Sequence, residues 1–349
     1  TFADATDHLE IPSTTQAGWQ VVGTSLATFA YKVDSDAVTE LNLLGNFGHV
    51  NTRQTGDLYG IILLPESATN RDINEARQLL IDRGAADAVS ATVIYTWWYA
   101  RADIVEFKNV DMTNVINAQS VWDGCSSMTS FGVTEIINAN NFTGAWQNCA
   151  SLTQFPQDAK LGTEASNVNF TAAWRSSGLT SFSTPLPSGD SFYASWRDCT
   201  NLSSFSSEIN GTNVRFTWYG CSSLTSFSTP LPLAQRLDLA WQNCTSLLDF
   251  SADVFANWNP SALSTGIFNG TWDGCTSLTA QSVENILVSI DASGKYATST
   301  GASGGSALAD ATIDIDYNVA TGSLTAATLT AIETLNGRGW SVNINGVIQ

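Results

Sequence analysis

The apolar positions of this chain recur as a long unit rather than at a single short period. Trp98, Trp122, Trp146, Trp174, Trp196, Trp218, Trp241 and Trp272 follow one another at intervals of 24, 24, 28, 22, 22, 23 and 31 residues. Self-similarity on this scale marks a repeat architecture. Three residues after a Trp stands Cys125, Cys149, Cys199, Cys221, Cys244 or Cys275, which together are all six cysteines of the protein. Six residues after a Trp comes Ile104, Met128, Leu152, Leu202, Leu224, Leu247 or Leu278, and nine after it Phe107, Phe131, Phe155, Phe205, Phe227 or Phe250. The unit at Trp174 is one residue short and reaches Leu179 and Phe182.

Upstream of each Trp, the positions two and four residues back are mostly apolar or small, as in Phe170 and Ala172, Phe192 and Ala194, Val214 and Phe216, Leu237 and Leu239. Between them stand Thr171, Tyr193, Arg215 and Asp238, free to face solvent. A period of two predicts a short strand ending in Trp. A tight turn at Asp-Gly, Gln-Asn or Tyr-Gly follows, then a second extended segment around Leu and Phe. A further turn is marked by proline in the matching strings at 183–187 and 228–232. One such coil cannot enclose its own apolar face, whereas stacked coils bury Trp, Cys, Leu and Phe in columns. The expected fold is mainly β with α/β caps: a parallel β solenoid of about eight coils.

The flanks read as caps. Residues 70–83 place Ile73, Ala76, Leu79 and Leu80 at helical spacing before Gly84, and the Trp98 unit carries Arg101 where later units carry Cys. Leu41 to Leu44 and Tyr59 to Leu64 read as buried strands. At the other end, helices are expected over Gln281 to Ile290 and Thr325 to Asn336, with a Gly, Ser and Ala loop from Ser293 to Ala309 and a strand from Thr312 to Tyr317. Trp340 to Ile348 alternate like a strand. The division that follows is an N-terminal cap or attachment module over 1–90, the solenoid over 91–290 and a C-terminal cap over 291–349.

Composition narrows the partners. The 349 residues hold 14 Lys and Arg against 32 Asp and Glu, a net charge of −18 that opposes phosphate backbones and anionic membranes. Only 13% of the residues are charged, so the polar surface is largely neutral and rich in hydroxyls. Neither membrane insertion nor nucleic-acid binding is expected. No apolar run approaches the ~18 residues of a membrane span, and residues near Thr1 lack the pattern of a signal peptide. Thr1 fits either a removed initiator methionine or a cleaved precursor.

The units WDGCSSMTSF, WQNCASLTQFP, WRDCTNLSSF, WYGCSSLTSF, WQNCTSLLDF and WDGCTSLTA resemble the BspA-like leucine-rich repeats, and VDMTNVINAQSVW resembles related repeats of bacterial surface lipoproteins. The resemblance covers roughly residues 92 to 290. It implies a leucine-rich-repeat-type solenoid and an outward-facing role in adhesion or recognition. One departure is Trp in place of the usual Phe. The C-terminal IDIDYN, helix and GRGWSV are similar to the ends of tail-fibre-like proteins of marine bacteriophages.

Candidate chemistry is sparse. Coils ~4.8 Å apart would allow disulfides by distance, but in-register cysteines point the same way and read as buried free thiols. His8 and His49 lie far from any Cys, which argues against zinc. The Trp column could stack on sugars, but its apolar neighbours favour core, leaving Trp97 and Tyr193 as the more exposed aromatics. Asp310, Asp314 and Asp316 alternate along one strand, which suits calcium or, more simply, a solvated face. No nucleophile elbow, HExxH or Walker loop is present. Ser203, Ser204, Thr225 and Ser226 belong to hydroxyl ladders that serve either as plain solvated strand or as a recognition face.

The reading that results has no catalytic, cofactor or metal residues. It is a non-enzymatic structural and recognition protein: a phage virion component, such as a tail fibre, spike or capsid-surface protein, displayed on the virion surface. Its partners are other virion proteins and a host glycan or protein, met as a homo-oligomer or by multivalent display. The alternatives are a bacterial cell-surface adhesin and, from the enzyme class, a polysaccharide depolymerase.

Overall fold

The computed structural model describes residues 18–24, 28–33, 58–65, 76, 78–79, 94, 97–108, 110–163 and 167–349. The chain forms two compact units, residues 1–163 and 164–349. Three residues described within the expected helix at 70–83, Ala76, Gln78 and Leu79, are helical; the rest of that helix and the strand expected at Leu41 to Leu44 fall outside the described residues.

In the first unit, β1 (Gly18–Thr24), β2 (Thr28–Val33), β3 (Leu58–Pro65), β4 (Ile104–Lys108) and β5 (Ser130–Gly132) form one sheet in the order β3-β1-β2-β4-β5. Branched and aromatic residues dominate these segments, as suits a pleated surface. Pairing is antiparallel up to β4, where Tyr31 faces Phe107, and becomes parallel beyond it, where Phe107 faces Phe131. The solenoid thus starts on a strand whose other edge is already paired. β6 (Glu135–Ile136) and β7 (Lys160–Leu161) add a second parallel pair.

The second unit carries two ladders. β8 (Val168–Asn169), β10 (Gly189–Ser191) and β12 (Gly211–Asn213) pair in parallel ahead of the Trp segments. β9 (Ser181–Phe182) pairs with β11 (Ser204–Phe205), and β13 (Ser226–Phe227) with β14 (Asp249–Phe250), placing Phe182 beside Phe205 and Phe227 beside Phe250.

The Trp segments differ from the sequence expectation. Trp does not end a strand; from Trp98 to Trp218 it sits within successive turns. The N–H groups of Phe170, Ala172, Trp174 and Ser176 donate at 2.8–2.9 Å to the carbonyls of Ser191, Tyr193, Ser195 and Arg197 on the next coil. Those of Ala173, Arg175 and Ser177 instead donate three residues back, to Phe170, Ala172 and Trp174. Alternate backbone donors are therefore shared between the ladder and local turns, which satisfies every second N–H differently and produces a period of two without a strand.

This winding puts two left-handed residues in each coil from Trp122 onward. Two before Trp they are Ser120, Gly144, Ala172, Ala194, Phe216, Leu239 and Gly270, with φ from 51 to 61°. Two after Trp they are Ala100, Gly124, Asn148, Ser176, Asp198, Gly220, Asn243 and Gly274, with φ from 56 to 78°. Gly, Asn and Asp tolerate this conformation, while a bulky side chain loses roughly 1–2 kcal/mol to it. The Asp-Gly, Gln-Asn and Tyr-Gly turns read from the sequence are this second site.

The solenoid has about six turns, fewer than the eight Trp markers suggest. The end coils are partly built from other elements. The Phe107 segment of the Trp98 coil also belongs to the antiparallel sheet, and Trp272 bridges to Ile315 of a terminal strand.

That terminal module contains α1 (Ala280–Ala292), β15 (Thr312–Ile315), α2 (Ala326–Gly337), β16 (Ser341–Ile344) and β17 (Val347–Ile348). Thr279 and Thr325 cap the two helices by accepting from the N–H of Ser282 and Thr328. β15 and β16 are parallel, joined through α2, and the single strand expected over Trp340 to Ile348 is a hairpin turning at Asn345 and Gly346.

Candidate recognition surface

The repeated side chains divide between interior and surface. Trp98, Trp122, Trp146, Trp174, Trp196, Trp218, Trp241 and Trp272 are buried, as are the six cysteines. In the second unit the indoles stack, with centroids 5.1 Å apart for Trp174 and Trp196, 6.1 Å for Trp196 and Trp218, 5.2 Å for Trp218 and Trp241, and 5.7 Å for Trp241 and Trp272. Each also meets a Phe edge, as in Trp218 and Phe227 at 4.6 Å. Such pairs add about 0.5–1.5 kcal/mol beyond the area they bury. The indole N–H groups of Trp122, Trp196, Trp218, Trp241 and Trp272 have no hydrogen-bond acceptor, so these rings serve packing alone. Trp97 is buried too, contrary to its expected exposure, while Tyr99 beside it is exposed.

The cysteines are free. Each thiol donates to a Trp carbonyl on the preceding coil: Cys125 to Trp98, Cys149 to Trp122, Cys199 to Trp174, Cys221 to Trp196, Cys244 to Trp218 and Cys275 to Trp241, at 3.0–3.2 Å. The Trp174 unit, which lacks Cys, places buried Ser177 at the same position, 3.4 Å from the Cys199 sulfur. Burial raises these thiols, Cys125 to about 12 and Cys199 to about 11, and Cys149, Cys221, Cys244 and Cys275 shift in the same direction. They are protonated donors near neutral pH, not nucleophiles.

Asp314 and Asp316 close the last coil. Where a further coil would offer carbonyls, the N–H of Gly270 donates to Asp314 Oδ2 at 2.9 Å and that of Gly274 to Asp316 Oδ2 at 2.8 Å. Asn343 Nδ2 donates to the other Asp314 oxygen, and Asn269 Nδ2 to Asp310. Neither calcium nor a plain solvated face describes Asp314, which is buried with both oxygens engaged. Among the described residues no group of three or more His, Cys, Asp and Glu is placed to hold a metal ion.

Ser203, Ser204, Thr225 and Ser226 are exposed on adjacent coils. Ser203 Oγ donates to the Thr180 carbonyl at 3.0 Å and Thr225 Oγ1 to the Ser203 carbonyl at 3.4 Å. Thr129 and Ser277 do the same toward Val105 and Thr245. The hydroxyls of Thr129, Ser203, Thr225 and Ser277 are thereby fixed in direction with their lone pairs left toward solvent.

A second surface lies on the Trp turns, where Tyr193 and Arg215, expected to face solvent, are half-buried against each other and against Phe216. Arg215 lies over Tyr193 and Phe216, and Arg197 over Phe216 and Tyr219, at 4.8–5.9 Å from the ring centroids. Asp238 pairs with Arg215, and Asp198 with Arg197 at 3.2 Å. Burial pushes the Asp238 carboxyl up against the opposing pull of Arg215. The sequence signal was present: Phe216 and Leu239 stand where five other units carry Ser, Gly or Ala.

The class these features define is a parallel β solenoid with stacked aromatic columns and a capped last coil. No family model, curated protein or solved structure matches the chain. No helix among the described residues is long and apolar enough to cross a membrane.

Proposed function

We propose that this is a non-enzymatic structural and recognition protein of the leucine-rich-repeat type, displayed on a phage virion as a fibre, spike or capsid-surface component and contacting a host glycan. The observation that carries the reading is the row of exposed hydroxyls on Ser203, Ser204, Thr225 and Ser226, of which those of Ser203 and Thr225 are held in direction by the coil before. Each such acceptor binds weakly, and a regular row suits a repetitive ligand met by many copies at once. The resemblance of the repeat strings to surface-exposed leucine-rich repeats points the same way.

Immunolabelling intact virions tests the placement: decoration is expected, and label on bacterial cells alone would favour the adhesin reading. Binding of multivalent protein to host cells tests the face. A variant combining Ser203→Lys, Ser204→Glu, Thr225→Glu and Ser226→Lys keeps the net charge and should lose at least tenfold in affinity. Undiminished binding would reduce the hydroxyl row to scaffold.

A further inference from the structure

Between residues 167 and 240 the chain is unlike the rest of itself. Four of its ten arginines fall there, Arg175, Arg197, Arg215 and Arg236, with no lysine and four carboxylates, so a protein of net charge −18 is locally neutral. Two of these arginines form an ordered ladder with aromatic rings, in the sequence Tyr193, Arg215, Phe216, Arg197, Tyr219. Tyr193 and Phe216 meet edge to face at 5.6 Å, Phe216 and Tyr219 are 5.7 Å apart, and Asn243 donates to the Tyr219 hydroxyl at 3.4 Å.

Phe216 is the keystone. It holds φ of 55° at a position that serves Ala172, Ala194 and Gly270 in other coils, and its ring is only half buried. The strained backbone gains no place in the core, so what the ring contributes is contact with two guanidinium groups. Each guanidinium is also tethered by Nε alone, Arg197 to Asp198 and Arg215 to Asp238. That leaves the terminal amino groups of both forks without a protein acceptor, on side chains each 28% exposed. A guanidinium with faces covered and Nε bound has lost its freedom before any ligand arrives, and its open edge is a planar two-donor fork matched to a carboxylate.

We infer that this ladder binds a carboxylate-bearing sugar of a uronate-type polysaccharide, with the Arg197 and Arg215 forks on the carboxylates and the Tyr193 and Tyr219 rings beside the apolar sugar faces. The two forks flank one ring, so successive acidic units of a polymer can engage both. Aromatic edges and the amide of Asn243 favour a sugar over an acidic peptide, since a sugar presents apolar C–H faces and hydroxyls together. The inference rests on the recognition reading but uses a surface separate from the hydroxyl row.

The test is titration of the full chain with polygalacturonate, dextran and polyglutamate at fixed ionic strength. Polygalacturonate should bind and the other two should not. Arg197→Lys with Arg215→Lys, which keeps the charge and removes the fork, should weaken binding at least tenfold, and so should Phe216→Ala. The hydroxyl-row variant should bind polygalacturonate as the parent does. In case the arginine variants fold poorly, protection of Arg197 and Arg215 from a guanidine-modifying reagent by polygalacturonate is read on the parent by mass spectrometry. Absence of binding, equal binding by the lysine variant, equal binding of polyglutamate, or no protection would each overturn the inference. Host-cell binding that survives such a result would leave the recognition reading standing.

Discussion

Trp218 shows what one residue contributes to this architecture. Its ring lies between Trp196 and Trp241 and against Phe227, fully buried. Trp218→Ala should therefore cost about 3–5 kcal/mol, read by denaturant unfolding. Trp218→Phe should cost far less, because it also removes a buried N–H that has no acceptor and that is itself unfavourable by about 1–3 kcal/mol. The thiols give a pH signature. Their folded pKa values lie above the unfolded value of 9.0, so the folded state holds protons that the unfolded state releases. Their contribution is fully present below pH 9, falls as pH rises toward 11 and 12 for Cys199 and Cys125, and is lost above. Thermal melts from pH 8 to 11 should show that decline, and Cys199→Ser should lessen it by one thiol's share while keeping the fold, as Ser177 does in its own coil. An unchanged pH profile would contradict the buried-thiol account. Trp and Cys were legible because each recurs at a fixed offset. Phe216 was legible only as a departure from the small residues of other units: its apolar character suggested an inward strand position, whereas it lies half-buried on a left-handed backbone.

At the scale of elements, the C-terminal module was legible in outline: α1, α2 and β15 lie within a residue or two of where helical and alternating periods place them. Its junction with the last coil was not, because a carboxylate that replaces a missing coil looks in sequence like any acidic strand. Asp316→Ala leaves the Gly274 N–H without its acceptor and should destabilise the second unit by about 1–3 kcal/mol. Hydrogen exchange should quicken first at Gly274 and its neighbours. Uniform exchange across the unit would mean that the carboxylate is not a local cap. The Trp segments taught the converse lesson. A period of two there came from alternate backbone donors choosing different partners, so periodicity located the repeat correctly while naming the wrong local conformation.

For the whole molecule, the fold was legible because a unit repeated at one spacing can bury its apolar side chains only by stacking. The number of turns was less so, since the first and last Trp units share their edges with flanking sheets. The function proposed places contact on surfaces rather than in a cleft: an exposed hydroxyl row on the Phe side of the coils and an arginine and aromatic ladder on the Trp side. The net charge of −18 means that any acidic ligand must be drawn by a local fork and not by the general field. Recognition without turnover is the central claim, and one measurement addresses it directly. The full chain is incubated with host surface polysaccharide, and bound protein and newly formed reducing ends are followed together over hours. Saturable binding with no growth in reducing ends is the expected result; reducing ends that accumulate in proportion to protein and time would contradict it and make the chain a depolymerase.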